Sequence, residues 1–101
     1  ALSCPGVTVL ALEASPTAAA VARRNIAHLA PQLVTVVDGR FPEELPAEVI
    51  AAPFAALVSN PPYIPTASLR VLEPEVRDWE PRLATDGGED GLDLIRKLVQ
   101  H

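Results

Sequence analysis

The sequence predicts an α/β fold in which helices flank a parallel β-sheet, and three observations support this prediction. Apolar, β-branched runs of strand length lack a polar alternation, which is typical of strands covered on both faces. A helical repeat of apolar residues separates the first two runs. The predicted order is strand, helix, strand, strand, helix, which indicates right-handed crossovers between parallel strands.

The first predicted strand covers residues 7–12, and a helix follows it. Ser15 provides a hydroxyl group for the helix N-cap, and Pro16 occupies the first helical position, where a missing N–H has no consequence. Arg23 is expected on the solvated face of this helix. The residues predicted to form its apolar face are Ala18, Val21, Ala22, Ile26 and Leu29.

Two further strands are predicted over residues 33–37 and 54–59, because both segments are short and rich in apolar residues. A last helix is predicted from Gly91 to about Gln100, with Asp90 as its cap. Residues 66–89 are rich in proline and charge and are predicted to form a long loop. A loop of this length in a compact domain is more often functional than not.

A polar residue stands directly after each predicted strand. Glu13 follows the first strand, Asp38 the second and Asn60 the third. The carboxyl ends of parallel strands meet at one edge of a sheet, and ligands bind beyond that edge. These three residues are therefore the centre of the predicted site.

The segment from Asn60 to Tyr63 reads NPPY, and its two prolines make it rigid. Proline fixes φ at roughly −65° and has no N–H, so the segment presents carbonyl oxygens with few competing donors. The Asn60 side-chain oxygen and the Pro61 carbonyl are suited to accept both N–H groups of a planar –NH2 group. Tyr63 is suited to cover that group by stacking. The alternative is a rigid turn with Tyr63 in the core.

The stretches VSNPPYIP and LEPEVRDWEPRLATDGGEDGLDLIRKL together resemble the HemK-type release factor glutamine methyltransferases. NPPY alone is less specific, because adenine methyltransferases of nucleic acids share it. The resemblance implies a class I, Rossmann-like methyltransferase sheet and S-adenosyl-L-methionine as the cofactor. It also implies a protein partner, since the methyl acceptor of that family is the glutamine of the Gly-Gly-Gln loop of peptide chain release factors.

The resemblance also implies roles for individual residues. Asn60 and Pro61 correspond to the residues that hold the acceptor amide, within a catalytic motif completed by Pro62 and Tyr63. Glu13 matches the acidic residue that binds the ribose hydroxyls of the cofactor. The expected cofactor site consists of Glu13, Asp38 and Asn60.

The chain departs from the family pattern in two places. Relatives usually read Gly-Asp after the second strand, whereas this chain reads Asp38-Gly39, so Asp38 is expected either to serve from one position earlier or to leave the adenine contact altered. The first strand of the family sheet and its glycine-rich loop have no counterpart in the sequence. Residues 1–101 are therefore expected to be an interior part of a methyltransferase catalytic domain.

Composition limits the alternatives. The net charge of −5 argues against binding to the phosphate backbone of a nucleic acid. No apolar run reaches the roughly 20 residues that span a bilayer. The single cysteine, Cys4, fits a reducing cytoplasm, and one cysteine with two distant histidines offers no metal site. Two alternatives to a glutamine methyltransferase stay open: an adenine N6-methyltransferase acting on nucleic acid, and a non-catalytic segment of a methyltransferase.

Overall fold

The structure is a computed structural model that describes residues 5–100, apart from the side chain of Glu48. Cys4 therefore lies outside the described residues. The described chain divides between Ala51 and Ala52 into two compact units. No helix of the described chain is both long enough and apolar enough to cross a membrane.

The first unit contains a two-stranded parallel sheet with a helix packed on it. Strand β1 is Val9–Glu13, helix α1 is Pro16–Leu29 and strand β2 is Val34–Asp38. A short helix, α2, follows at Ala47–Ile50. This strand–helix–strand arrangement with parallel pairing confirms the predicted α/β class, and both strands lie within two residues of their predicted bounds.

Helix α1 begins as the sequence predicts, but its buried face is rotated. The Ser15 hydroxyl accepts a hydrogen bond from the Ala18 N–H at 3.4 Å, and Pro16 opens the helix. Ala19 is fully buried, whereas the predicted face residue Leu29 is 66% exposed. Ala22 and Ile26, which lie one and two turns beyond Ala19, are half-buried, so the covered face of the helix includes Ala19 instead of Ala18 and Leu29.

The second unit is built from short helices. A 3-10 helix covers Thr66–Val71, and helices α3 and α4 are Pro74–Trp79 and Arg82–Thr85. Helix α5 is Asp93–Gln100. The prediction of one long loop over residues 66–89 is therefore wrong. Its prolines begin helices instead of marking a loop, because proline suits the first turn, where backbone N–H groups need no partner.

The predicted third strand over residues 54–59 is also wrong. In the described chain the sheet contains only β1 and β2, and residues 56–60 have no regular secondary structure. An apolar run becomes a strand only when a neighbouring strand completes its hydrogen-bond ladder. The Val58 side chain is 96% exposed, so this segment has neither that partner nor a cover. Asn60 consequently does not follow a strand.

The last helix begins two residues later than predicted. Gly91 has φ of +82°, which lies outside the helical region, so α5 starts only at Asp93. The buried hydrophobic residues of the described chain are few: Ala19, Ala30, Leu45 and Leu69.

Candidate functional site

The carboxyl edge of the two-stranded sheet places two acidic residues next to each other. Glu13 and Asp38 are the last residues of β1 and β2, and they are partners in the parallel register. The Gly39 N–H continues the pairing by donating to the Glu13 carbonyl at 3.1 Å. The prediction that both carboxylates lie at this edge is confirmed for β1 and β2.

The Glu13 side chain is half-buried and held by the turn that leads into α1. Its Oε1 atom accepts a hydrogen bond from the Ser15 N–H at 2.8 Å. Among the described residues no other group bonds this carboxylate, so its second oxygen is available to an external hydroxyl donor. A carboxylate with one oxygen fixed and the other available has a defined orientation for binding a ligand.

Asp38 is bound by a residue that the helical pattern of the sequence assigned to solvent. Arg23 of α1 donates to the Asp38 Oδ2 atom at 2.7 Å and to the Val36 carbonyl at 3.4 Å. Both partners of the ion pair are about half exposed, with side-chain exposures of 47% and 54%. Such a pair contributes little stability, at most about 1 kcal/mol, so Arg23 can release Asp38 to a ligand. The sequence pattern did not indicate this pair, because Ala19, one helical turn before Arg23, is not on the predicted apolar face.

The Asp38-Gly39 order has a local structural reason. Gly39 has φ of +141°, and a Cβ atom there would lie 3.0 Å from the Glu44 carbonyl oxygen. The Arg40 N–H donates to the Glu44 carboxylate at 3.1 Å, which keeps the loop in this close approach. A side chain at position 39 would be strained and crowded, so the carboxylate stands at position 38.

The NPPY segment lies in the second unit and is largely open to solvent. Asn60 is exposed, Pro61 and Pro62 are half-buried, and the Tyr63 side chain is 62% exposed. No described residue forms a hydrogen bond with the Asn60 side-chain amide. The exposure excludes the alternative in which Tyr63 belongs to the core of the described chain, and it leaves the acceptor oxygens of the segment free to bind a ligand.

The backbone directly after NPPY is fixed by the glycine-rich segment 86–91, which we call the glycine turn. Ile64 forms a parallel bridge with Asp86: its N–H donates to the Thr85 carbonyl at 3.1 Å, and its carbonyl accepts from Gly87 at 2.9 Å. The Thr66 N–H donates to the Gly88 carbonyl at 2.8 Å. The end of NPPY is therefore attached to the rest of its unit through this turn.

Two carboxylates of the glycine turn are used for structure. The Thr66 hydroxyl donates to Asp86 at 2.6 Å and, together with the Gly88 N–H, holds the pKa of Asp86 below its ordinary value. Asp90 forms a two-pronged ion pair with Arg96 and accepts a hydrogen bond from the Leu92 N–H at 3.1 Å. In the described chain no group of three His, Cys, Asp or Glu residues is arranged to hold a metal ion.

The ion pair at Asp90 predicts a pH dependence. The Arg96 guanidinium and the Leu92 N–H hold the pKa of the Asp90 carboxyl below its ordinary range. Because the folded-state pKa is the lower one, the contribution to stability is complete above the unfolded value of about 3.9 and is lost as the pH falls through the folded value. We expect a carbon-13 NMR titration of Asp90 to give a pKa below about 3.9, and Arg96→Gln to raise it.

The matched control is Arg24→Gln, an exposed arginine of α1. It should leave the titration of Asp90 unchanged. An Asp90 pKa that is the same with and without the Arg96 charge would contradict the assigned cause.

Comparison with known proteins identifies relatives over nearly the whole chain. A release factor glutamine methyltransferase of Geobacter sulfurreducens is 47% identical over 95 residues, which is 94% of this chain and 32% of the relative. One of Gloeobacter violaceus is 44% identical over 100 residues, 98% of this chain and 34% of the relative. A ribosomal protein uL3 glutamine methyltransferase of Bordetella pertussis is 41% identical over 100 residues, 98% of this chain and 32% of the relative.

The chain spans about a third of the length of these relatives. No protein-family profile matches it, and no solved structure matches it. The matches extend over 94–98% of this chain. The resemblance is therefore confirmed: over 94–98% of its length, the chain is similar to a segment of proteins named as release factor glutamine methyltransferases.

Proposed function

We propose that the enzyme containing this chain methylates the side-chain nitrogen, N5, of a glutamine in a peptide chain release factor, with S-adenosyl-L-methionine as the methyl donor. One observation carries the proposal. The rigid NPPY segment leaves the Asn60 amide exposed and without a hydrogen-bond partner among the described residues. It occurs in a chain that is 41–47% identical to proteins named as glutamine methyltransferases. We assign residues 1–101 to the catalytic domain of that enzyme.

The acceptor glutamine is held by oxygen atoms. Its two amide N–H groups donate to the Asn60 side-chain oxygen and to the Pro61 carbonyl, which directs the nitrogen outward. Pro62 restricts the ψ of Pro61 and so the direction of the Pro61 carbonyl, and it has no N–H to compete for the two acceptors. Tyr63, whose side chain is 62% exposed, covers the planar amide by stacking.

Positioning is the main contribution of these residues to the reaction. An amide nitrogen is a poor nucleophile because its lone pair is delocalised, and favourable placement supplies up to about 7–11 kcal/mol in the best intramolecular cases. The nitrogen gains the methyl group and one of its protons leaves to water. Asn60 and Pro61 accept hydrogen bonds from the amide until the methyl group is transferred and keep the nitrogen aligned. The proton leaves only after the transfer, so a strong base beside the nitrogen is not required.

The residues at the sheet edge fit a nucleoside cofactor. The oriented Glu13 carboxylate, with one oxygen held by the Ser15 N–H, is suited to accept the two ribose hydroxyls. Asp38 is the register partner of Glu13. Its exposed ion pair with Arg23 can be replaced by a hydrogen bond from the adenine amino group. S-adenosyl-L-methionine supplies, when bound, a methyl group activated by a positively charged sulfur. Asn60 is assigned as a further contact to this cofactor.

The protein acceptor is proposed to be the Gly-Gly-Gln loop of a release factor, in the cytoplasm. A second candidate is ribosomal protein uL3, because the Bordetella pertussis relative with that name is 41% identical over 98% of the chain. Both acceptors present a glutamine amide, so the same Asn60 and Pro61 oxygens serve either one.

The test is a methyl-transfer assay with the full-length enzyme and tritiated S-adenosyl-L-methionine. A release factor, uL3 and an adenine-containing DNA duplex are offered separately, and each protein is also offered with its acceptor glutamine replaced by alanine. We expect label in the release factor that disappears in its alanine variant. Label in uL3 alone would identify the second candidate acceptor.

The remaining alternatives give different results in the same assay. Label in the duplex would indicate an adenine N6-methyltransferase, against which the net charge of −5 argues. Transfer to none of the three, by an enzyme that binds the cofactor, would overturn the proposal and favour a non-catalytic role.

A further inference from the structure

The glycine turn contacts the proposed catalytic segment at closer range than a side chain would allow. A Cβ atom on Gly91 would lie 2.3 Å from the Tyr63 carbonyl oxygen and 3.1 Å from the carbonyl carbon. Gly91 is buried and has φ of +82°, a conformation that L side chains rarely adopt. The backbone of Tyr63 therefore rests directly on the backbone of Gly91.

The glycine turn is itself held by backbone packing and hydrogen bonds. A Cβ atom on Gly87 would lie 2.7 Å from the Gly91 carbonyl oxygen, so these two glycines pack backbone against backbone. The Asp93 N–H donates to the Gly87 carbonyl at 3.0 Å, which joins the turn to the start of α5. Asp86 accepts from the Thr66 hydroxyl at 2.6 Å and ties the turn to the chain three residues after Tyr63.

These contacts all lie on the C-terminal side of NPPY. Asn60 is exposed and has no hydrogen bond from a described residue, so the segment has few constraints of its own at its N-terminal end. Two consecutive prolines transmit the direction of the chain, because each fixes one of its two backbone dihedrals. The orientation of Asn60 and Pro61 is therefore set largely from Tyr63 onward.

We propose that the glycine turn is a positioning element for methyl transfer: Gly91 and the Thr66–Asp86 hydrogen bond set where Tyr63 lies, and the prolines pass that placement to the Asn60 and Pro61 oxygens. Neither Gly91 nor Thr66 contacts the acceptor in this scheme. The inference rests on the proposed function and adds residues that determine the rate of methyl transfer.

The chain contains a matched pair of glycines for the test. Gly6 has φ of +83°, and a Cβ atom on it would meet nothing within 4 Å, whereas Gly91 has φ of +82° and its Cβ atom would meet Tyr63. Gly6→Ala and Gly91→Ala thus introduce the same backbone strain, and only the second displaces the Tyr63 carbonyl. Contact at ordinary van der Waals distance requires a displacement of about 1 Å.

In the full-length enzyme we expect Gly91→Ala to lower kcat for glutamine methylation about 100-fold, since misplacement of about 1 Å has effects of that size. Affinity for S-adenosylhomocysteine, measured by calorimetry, should fall by less than about tenfold, because Asn60 gives the cofactor at most one neutral hydrogen bond and the Gly91 contact involves neither Glu13 nor Asp38. Gly6→Ala should leave both quantities within about twofold of the unsubstituted enzyme. An unchanged kcat in a folded Gly91→Ala enzyme would overturn the proposal.

A second pair of variants covers the case in which Gly91→Ala fails to fold. Thr66→Val removes the hydroxyl bonded to Asp86 at an exposed position, and Thr66→Ser keeps it. We expect Thr66→Val to lower kcat about 3- to 10-fold and Thr66→Ser to restore it. Equal kcat values for valine and serine would contradict the role of this bond.

One readout separates this inference from the proposed function. The side-chain amide signals of Asn60 in a nitrogen-15 NMR spectrum, assigned through their loss in Asn60→Ala, report its surroundings without any turnover. They should shift in Gly91→Ala and not in Gly6→Ala, even if the enzyme methylates no glutamine. Unmoved Asn60 signals in Gly91→Ala would overturn the positioning role whatever the activity.

Discussion

Replacing Asn60 by alanine in the full-length enzyme is expected to lower kcat for glutamine methylation by about 100- to 1,000-fold. Affinity for S-adenosylhomocysteine should fall much less, by less than about tenfold, because one neutral hydrogen bond at most is lost to the cofactor. The measurements are single-turnover methyl transfer to the release factor and calorimetric titration of the cofactor product.

The size of this effect follows from what the Asn60 side chain does in the proposed complex. Its oxygen is one of two acceptors that hold the amide of the substrate, and its loss leaves the Pro61 carbonyl alone. One hydrogen bond fixes a distance, whereas two fix the plane of the amide and the direction of its lone pair. Because Asn60 is exposed and unbonded within the described chain, its removal should not disturb the fold.

The sequence provides a matched control, since its only other asparagine, Asn25, is exposed on α1. Asn25→Ala should leave both transfer and binding unchanged. If Asn60→Ala instead reduced cofactor affinity and transfer to the same extent, Asn60 would be a cofactor or structural residue, and the proposed grip on the amide would be wrong.

The sequence predicts the parts of this site that are determined by residues close together in the chain. The ends of β1 and β2 and the start of α1 follow from short-range signals, namely β-branched runs and the Ser15-Pro16 cap, and the structure confirms them. The pairing of Glu13 with Asp38 follows from the parallel register of two adjacent strands. These are features in which propensity and pairing favour the same structure.

The wrong predictions concern segments whose structure depends on more than their own composition. Residues 54–59 have the composition of a strand, but a strand also requires a neighbour, and composition does not supply one. The helices of residues 66–85 differ from the predicted loop because proline, which often signals a loop, opens helices in this segment. Arg23 is predicted in solvent because its partner, Asp38, is 15 residues away in the sequence.

The contact between Gly91 and Tyr63 shows the same limit at the catalytic segment. The sequence predicts a helix directly after the glycine turn, and α5 begins there at Asp93. Nothing in the spacing indicates that this turn lies against a residue 28 positions earlier, whose carbonyl oxygen is 2.3 Å from the place that a Cβ atom on Gly91 would occupy. Glycine is required there by a long-range contact as well as by its positive φ.

The cofactor side of the site is tested by replacing Glu13. We expect Glu13→Ala to weaken binding of S-adenosylhomocysteine about 100-fold or more, since two hydrogen bonds from ribose hydroxyls to a charged oxygen are lost. Glu13→Gln keeps a side-chain oxygen to accept from the Ser15 N–H, which donates to Glu13 at 2.8 Å, and should weaken binding only about tenfold. Calorimetric titration of the full-length enzyme measures both affinities.

The control for the loss of one negative charge is Glu75→Gln, at an exposed position of α3. It should leave the affinity unchanged, which separates a local contact from the general field of an acidic protein. The graded order of alanine, glutamine and unsubstituted enzyme is the decisive result, because a purely structural role at the Ser15 turn would make Glu13→Gln equivalent to the unsubstituted enzyme. If both Glu13 variants bound the cofactor normally, the carboxyl edge of β1 would not be the ribose site, and Asp38 would have to be tested as the sole carboxylate of the cofactor site.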